Sequence, residues 1–269
     1  MRKEIIGKCN CKYCGKELNQ EGFRIEIGGT NYLRKLEPER CDCEPAKEYW
    51  KKFDYEKKRK SEMELAYLKK QKQERLYRTS KMNPRLREYS FENYEVKDYN
   101  RKAYKKAKEY AENYIQGTEI GSLFITGGVG TGKTHLAASI ANELIKNEKT
   151  VVLGTLINIL SEIKDSYNSE FENEGIIIDK YSKIDMLIID DLGKERPSEW
   201  ALEKLFTIIN NRYENNLPVI ITTNYNREKL RERLADNKNY EIADSIVSRL
   251  YEMCRGISII GKDKRRELV

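Results

Sequence analysis

The chain has a single histidine, His135, among 269 residues. A mixed cysteine–histidine zinc site would have to take that residue out of the glycine-rich segment in which it sits. Long apolar runs are also missing, and no window approaches the roughly 20 residues of a membrane span. The opening stretch, Met1-Arg-Lys-Glu-Ile-Ile-Gly-Lys8, is charged and lacks the apolar centre of a secretory signal. The expectation is a soluble, cytoplasmic protein with no membrane partner. In that compartment cysteines serve more often as metal ligands than as disulfides. Residues 46–78 contain neither glycine nor proline, which favours an uninterrupted helix or helical linker. Its apolar residues Met63, Leu65, Leu68 and Leu76 are too sparse for a sustained coiled coil. No internal repeat is visible.

What is present falls into three segments. Residues 1–45 carry 9 Lys/Arg against 8 Asp/Glu, residues 46–78 carry 12 against 6, and residues 79–269 carry 30 against 30. The basic surplus thus sits in the middle segment, which suits contact with nucleic acid or an acidic partner and equally a solvated helix. The first segment holds short strand-like runs such as Phe23-Arg-Ile-Glu-Ile27 and is too small to fold on an apolar core alone. From 79 onward, apolar strands (122–126, 151–153, 186–189, 219–223, 257–260) alternate with helices (100–116, 133–147, 155–170, 198–214, 226–234, 241–254). That alternation predicts an α/β domain with a parallel sheet covered on both faces.

The segment Gly127-Gly128-Val129-Gly130-Thr131-Gly132-Lys133-Thr134 fits G-x-x-x-x-G-K-[ST] at every fixed position. The strand Ser122-Leu-Phe-Ile-Thr126 precedes it, and Leu136, Ile140 and Leu144 mark a helix after it. Glycines let successive N–H groups turn inward, and the helix start adds its positive dipole end. Lys133 can reach the β- and γ-phosphates, and the Thr134 hydroxyl can ligate Mg²⁺. His135 then stands at the helix start beside the nucleotide. The strand Met186-Leu-Ile-Ile189 closes on Asp190-Asp191, a Walker-B pattern. Asp190 can hold Mg²⁺, and Asp191 can orient or deprotonate a water. Asn224 ends the strand Val219–Thr223 and can position the same water, although an Asn at a strand end is also an ordinary turn residue. Arg249 lies on a largely apolar helix, either packed there or reaching a neighbouring subunit's γ-phosphate as an arginine finger.

Five of the six cysteines fall within the first 43 residues. Cys11-Lys-Tyr-Cys14-Gly15 is a knuckle that aims two thiolates at one metal, and Cys41-Asp-Cys43 can supply a second pair. The expected zinc ligands are Cys11, Cys14, Cys41 and Cys43, with Cys9 as the alternate. Zinc would explain how so small a segment stays folded. Cys254 stands alone on a helix and reads as core.

Taken together, the stretch from Ser122 to Leu144, Asp190-Asp191-Leu-Gly193, Thr222-Thr-Asn224 and Ser248-Arg249-Leu250 resemble the AAA+ helicase loaders of the DnaC/DnaI group. They are similar also to the related IstB transposition helpers. The resemblance covers about 80–260 and follows the family's motif order. It implies an AAA+ P-loop core that binds ATP at Gly127–Thr134, activates water near Asp191 and Asn224, and uses Arg249 in trans through self-association. It also implies that Asn83–Tyr94 borders the adenine pocket. An added helix within 155–180 would face single-stranded DNA, with Lys164 and Tyr167 as candidates. A small amino-terminal domain would grip a replicative helicase. Asp191 replaces the Glu of many AAA+ ATPases, so slow or partner-stimulated hydrolysis is expected. With 20 residues after Arg249, no helical lid is expected, as in the loaders. The rival readings are an IstB-like helper acting with a transposase, a zinc-dependent DNA-binding adaptor with ATP as a structural ligand, and a small-molecule P-loop kinase.

Overall fold

The computed structural model describes residues 3–27, 30–118, 121–167, 173–235 and 239–261. The chain divides into two compact units, Met1–Lys70 and Gln71–Val269. In the first, strands β1 (Glu4–Asn10), β2 (Glu17–Ile27) and β3 (Thr30–Lys35) form an antiparallel meander. The turn between β1 and β2 is the cysteine knuckle. Cys11 N–H donates to the Lys16 carbonyl (2.8 Å), and Gly15 N–H returns to the Cys11 carbonyl (2.8 Å). Gly15 sits at φ 75°, where a side chain would be strained. The buried cluster of this unit is Cys11, Leu18, Cys41 and Ala46, with Cys9, Cys43 and Trp50 packed against it. Among the described residues this cluster is small, and four small or medium side chains stabilise little against chain entropy.

Helix α1 (Glu44–Thr79) extends slightly beyond the expected 46–78, and Ala46 is its one buried residue. Its charged and aromatic side chains leave no continuous apolar face. The division between the two units falls inside this helix, nearer its start than the expected boundary at 78.

The second unit contains α2 (Pro84–Arg87), α3 (Arg101–Gln116), β4 (Ser122–Gly127), α4 (Lys133–Lys146), β5 (Val151–Thr155), α5 (Leu156–Ser166), α6 (Glu174–Lys183), β6 (Met186–Asp190), α7 (Glu199–Glu214), β7 (Val219–Thr223), α8 (Arg227–Ala235), α9 (Tyr240–Met253) and β8 (Cys254–Ile259). The five strands pair in parallel in the order β5-β6-β7-β4-β8. Period-two alternation explains the two buried layers. Met186 and Ile188 of β6 point into the layer shared with α3 and α4, whereas Leu187 and Ile189 point into the layer shared with α5 to α9. The expected strands and principal helices are present. Strand β8 starts at Cys254 rather than 257, because it pairs with β4 from Ser122 through Gly127. Its first three residues, Cys254-Arg255-Gly256, carry no apolar alternation by which sequence could reveal them. The stretch read as one mixed helix over 155–170 is α5, and a separate α6 follows; Thr155 and Asn173 cap their N-termini.

Arg212 on α7 closes the far end of the sheet from the site. It is fully buried and donates to the carbonyls of Tyr181 (2.8 Å), Ile184 (3.0 Å) and Pro218 (2.6 Å), tying the starts of β6 and β7 together. Burial lowers its affinity for its proton, to a pKa of about 10, which leaves it a cation at neutral pH. Removing the guanidinium strands several buried carbonyls. Arg212→Leu should therefore cost about 3 kcal/mol of folding stability in chemical denaturation. A loss below about 0.5 kcal/mol, the scale of a surface change, would contradict this role.

Candidate functional site

The site lies at the carboxyl ends of β4, β6 and β7, where a parallel sheet opens toward ligands. Gly127 ends β4, and a Cβ there would meet the Ile259 carbonyl oxygen at 2.5 Å. Gly132 stands at φ 97°, and a Cβ would fall 2.8 Å from the Tyr94 hydroxyl. Both positions require glycine, for close approach at the first and for backbone conformation as well at the second. Between them Val129 is exposed, and the Thr131 hydroxyl donates to the Gly128 carbonyl (2.9 Å). Lys133 is buried at the start of α4, with Nζ donating to Gly128 O (2.8 Å) and to Asn224 Oδ1 (2.6 Å).

Strand order makes this last contact possible. β7 lies between β4 and β6, so Asn224 stands between the lysine and the two acids. Its Nδ2 donates to Asp191 Oδ1 (3.0 Å), completing a Lys133–Asn224–Asp191 chain. Lys194 Nζ lies 3.6 Å from the other Asp191 oxygen. A second chain runs beside it: the Thr134 hydroxyl donates to the Asp190 carboxylate, lying 2.9 and 3.0 Å from its oxygens, and the Thr222 hydroxyl donates to Oδ1 (2.6 Å). Burial raises the Asp190 pKa, while hydrogen bonds from Thr222 and Thr134 oppose that shift. Thr134 and Asp190 converge as hydroxyl and carboxylate oxygens, a donor pair that suits a hard Mg²⁺ ion.

The flanking segment 83–94 is tied to α4. Asn142 Nδ2 donates to the Leu86 (2.9 Å) and Tyr89 (2.6 Å) carbonyls. His135 stacks on Tyr89 with centroids 4.2 Å apart, and its Nε2 lies 3.1 Å from Ser90 O and 2.9 Å from Asn93 Oδ1. The histidine thus anchors the segment that the resemblance sets beside adenine.

Arg249 does not join these chains. Its Nε donates to Asn210 Oδ1 (2.8 Å), and its guanidinium lies 5.0 Å from the Phe206 ring and 5.7 Å from the Tyr213 ring. Lys164 stands 5.0 Å from the Trp200 ring, and Trp200 Nε1 donates to the exposed Tyr167 hydroxyl (3.3 Å). The two candidates on α5 and just beyond it therefore share one aromatic neighbour.

In the first unit, the sulfurs of Cys11, Cys14, Cys41 and Cys43 all lie within 4.8 Å of one another, with Cys14···Cys41 at 3.4 Å and Cys11···Cys43 at 3.9 Å. A tetrahedral zinc with bonds of about 2.3 Å needs sulfurs roughly 3.8 Å apart, so the set fits. Cys9 is outside this group. Hydrogen bonds from the Tyr13 and Cys14 backbones lower the Cys11 thiol pKa to about 7. Cys41, despite a lowering hydrogen bond from the Cys43 backbone, is pushed up to about 12 by its hydrogen bond to Cys14 and by burial, and burial pushes Cys43 up.

Sequence reasoning missed two residues. Thr222 had been read only as part of a strand tip, yet it is buried and touches the turn of both acids. The available signal was a pair of threonines closing an otherwise aliphatic buried strand. Arg233 on α8 donates to the Gly193 carbonyl (2.8 Å) and to that of Lys194, clamping the turn after Asp191. Nothing in its charged helix distinguished it from its neighbours.

Comparison with known proteins agrees with this geometry. The replicative helicase loader DnaC of Escherichia coli strain K12 is 32% identical over 166 residues, 61% of this chain and 67% of that protein. The replicative helicase loader DnaI of Bacillus subtilis strain 168 is 24% identical over 268 residues, 95% of this chain and 78% of that one. A crystal structure of DnaI is similar with a TM-score of 0.57 at 27% identity, over 66% of this chain and 95% of its own. A family model described as IstB-like ATP binding protein matches residues 55–268. With the phosphate loop and its two acids inside that match, the chain belongs to the IstB-like ATP binding protein family.

Proposed function

We propose that the protein is an ATP-hydrolysing loader that places a replicative ring helicase on single-stranded DNA. The Lys133–Asn224–Asp191 chain is the observation that carries this reading, because it couples the phosphate loop to a water-orienting acid. The likeness to DnaC and DnaI supports the choice of partner. In this reading the backbone of Gly127 to Gly132 cradles the phosphates, with Lys133 on the β- and γ-groups. Thr134 and Asp190 would hold Mg²⁺, which when bound supplies charge neutralisation on the phosphates. Asp191 and Asn224 orient the attacking water. Arg249 acts on the nucleotide of a neighbouring copy, and its aromatic packing on α7 holds it ready at the surface. Residues 1–45 form a zinc module that grips the helicase, 46–78 a basic link, and 79–269 the ATPase domain. Lys164 and Tyr167 contact the DNA strand by charge and stacking.

Hydrolysis is expected to be slow without a partner. Asp191 has φ 57°, a left-handed conformation that Asp tolerates better than most residues, and its carboxylate is already engaged by Asn224. Turnover should fall about 100-fold in Lys133→Ala and in Arg249→Ala. Mixing the two variants should restore part of it, since one supplies intact loops and the other intact arginines. Phosphate release by a coupled assay reads this, and a mixture no better than its components would contradict action in trans.

Zinc is expected at one ion per chain. Chelation, or Cys14→Ser, should abolish capture of the protein by its cognate replicative helicase while leaving nucleotide binding intact. Failure of the untreated full-length protein to be captured would contradict the loader reading.

A further inference from the structure

We propose that Thr222 is a positioning residue that fixes both acids of the site with one hydroxyl. The proposal rests on the ATP-hydrolysing reading of that site. Strand β7 is Val219-Ile-Ile-Thr-Thr223, fully buried, and burial alone would favour another aliphatic residue at 222. The β6–β7 ladder runs from Leu187↔Val219 to Ile189↔Ile221 and stops there. Beyond it, Thr222 takes over the pairing. Its carbonyl accepts from Leu192 N–H (2.9 Å), and its Oγ1 accepts from Asp191 N–H (2.8 Å). The same Oγ1 donates its proton to Asp190 Oδ1 (2.6 Å). One hydroxyl therefore sets the rotamer of Asp190 and the backbone of Asp191, just where the latter adopts its left-handed conformation.

With no exposure, Thr222 cannot itself meet a nucleotide or an ion, so its effect must pass through the acids. Partners behind a metal-ligating carboxylate commonly change metal affinity by about 10- to 100-fold. Thr134 also binds Asp190 but is itself a candidate ligand, which leaves Thr222 as the dedicated support. Val matches Thr in shape yet can neither donate nor accept; Ser keeps the hydroxyl and loses only the methyl group.

The test is Mg²⁺ titration of binding to a fluorescent ATP analogue, with steady-state turnover measured alongside. Thr222→Val should raise the half-saturating Mg²⁺ concentration about tenfold and lower kcat about tenfold, and KM at saturating Mg²⁺ should stay within about twofold. Thr222→Ser should stay within about threefold of the parent in every reading. If Thr222→Val does not fold, Thr222→Cys carries the same test, because a thiol is a weak donor of similar size. A lowered melting temperature with unchanged Mg²⁺ response would overturn the proposal, leaving Thr222 a packing residue. Equal impairment of the Ser and Val variants would overturn it too. Nucleotide binding by the parent protein with no response to Mg²⁺ would instead sink the underlying ATP reading, and the proposal with it.

Discussion

The contact between Lys133 and Asn224 is the interaction on which the site depends. It exists only because β7 lies between the strand that carries the phosphate loop and the strand that carries the acids. Were β6 adjacent to β4, no strand tip would stand between the lysine and Asp191. The sheet order thus becomes chemistry: a cation from the start of α4, an amide from the end of β7 and a carboxylate from the end of β6 meet in a row. Around this row the backbone is held tightly. Gly127 and Gly132 admit their neighbours, Thr222 holds the acids, and Arg233 clamps the turn that follows. At the other end of the sheet, Arg212 does comparable work for the starts of β6 and β7.

The two units are stabilised by different physics. The larger buries aliphatic side chains on both faces of its sheet, so apolar burial supplies most of its stability. Among its described residues the smaller has a cluster of four buried residues, two of them cysteines of the convergent set. Metal binding would there supply folding free energy that the apolar cluster lacks. A module held in this way can be small and present most of its surface to a partner.

Much of this was legible in the sequence, for identifiable reasons. The phosphate loop has fixed spacing because glycine conformation and lysine reach are local matters. The paired cysteines and the Asp190-Asp191 tip are likewise short-range patterns. Helix and strand positions follow from periodicity, and the helix expected over 46–78 is α1. Strand order was not legible, since pairing across the sheet depends on how crossovers pack. Thr222 escaped notice for that reason: its role depends on Asp190, 32 residues away in sequence. Arg212 escaped as well, because a cation on an amphipathic helix reads as surface until its neighbouring carbonyls at Tyr181, Ile184 and Pro218 are seen together. The start of β8 was hidden by residues with no apolar alternation.

In the proposed loader ATP binding and hydrolysis act as the switch, so the nucleotide should govern how firmly the protein holds the helicase. This central claim is tested most directly by measuring affinity for the cognate replicative helicase with ATP and with ADP, at fixed Mg²⁺ and salt. The account predicts affinities that differ at least tenfold, about 1.4 kcal/mol of coupling, and a difference that vanishes in Lys133→Ala. Equal affinities in the two nucleotide states would contradict it.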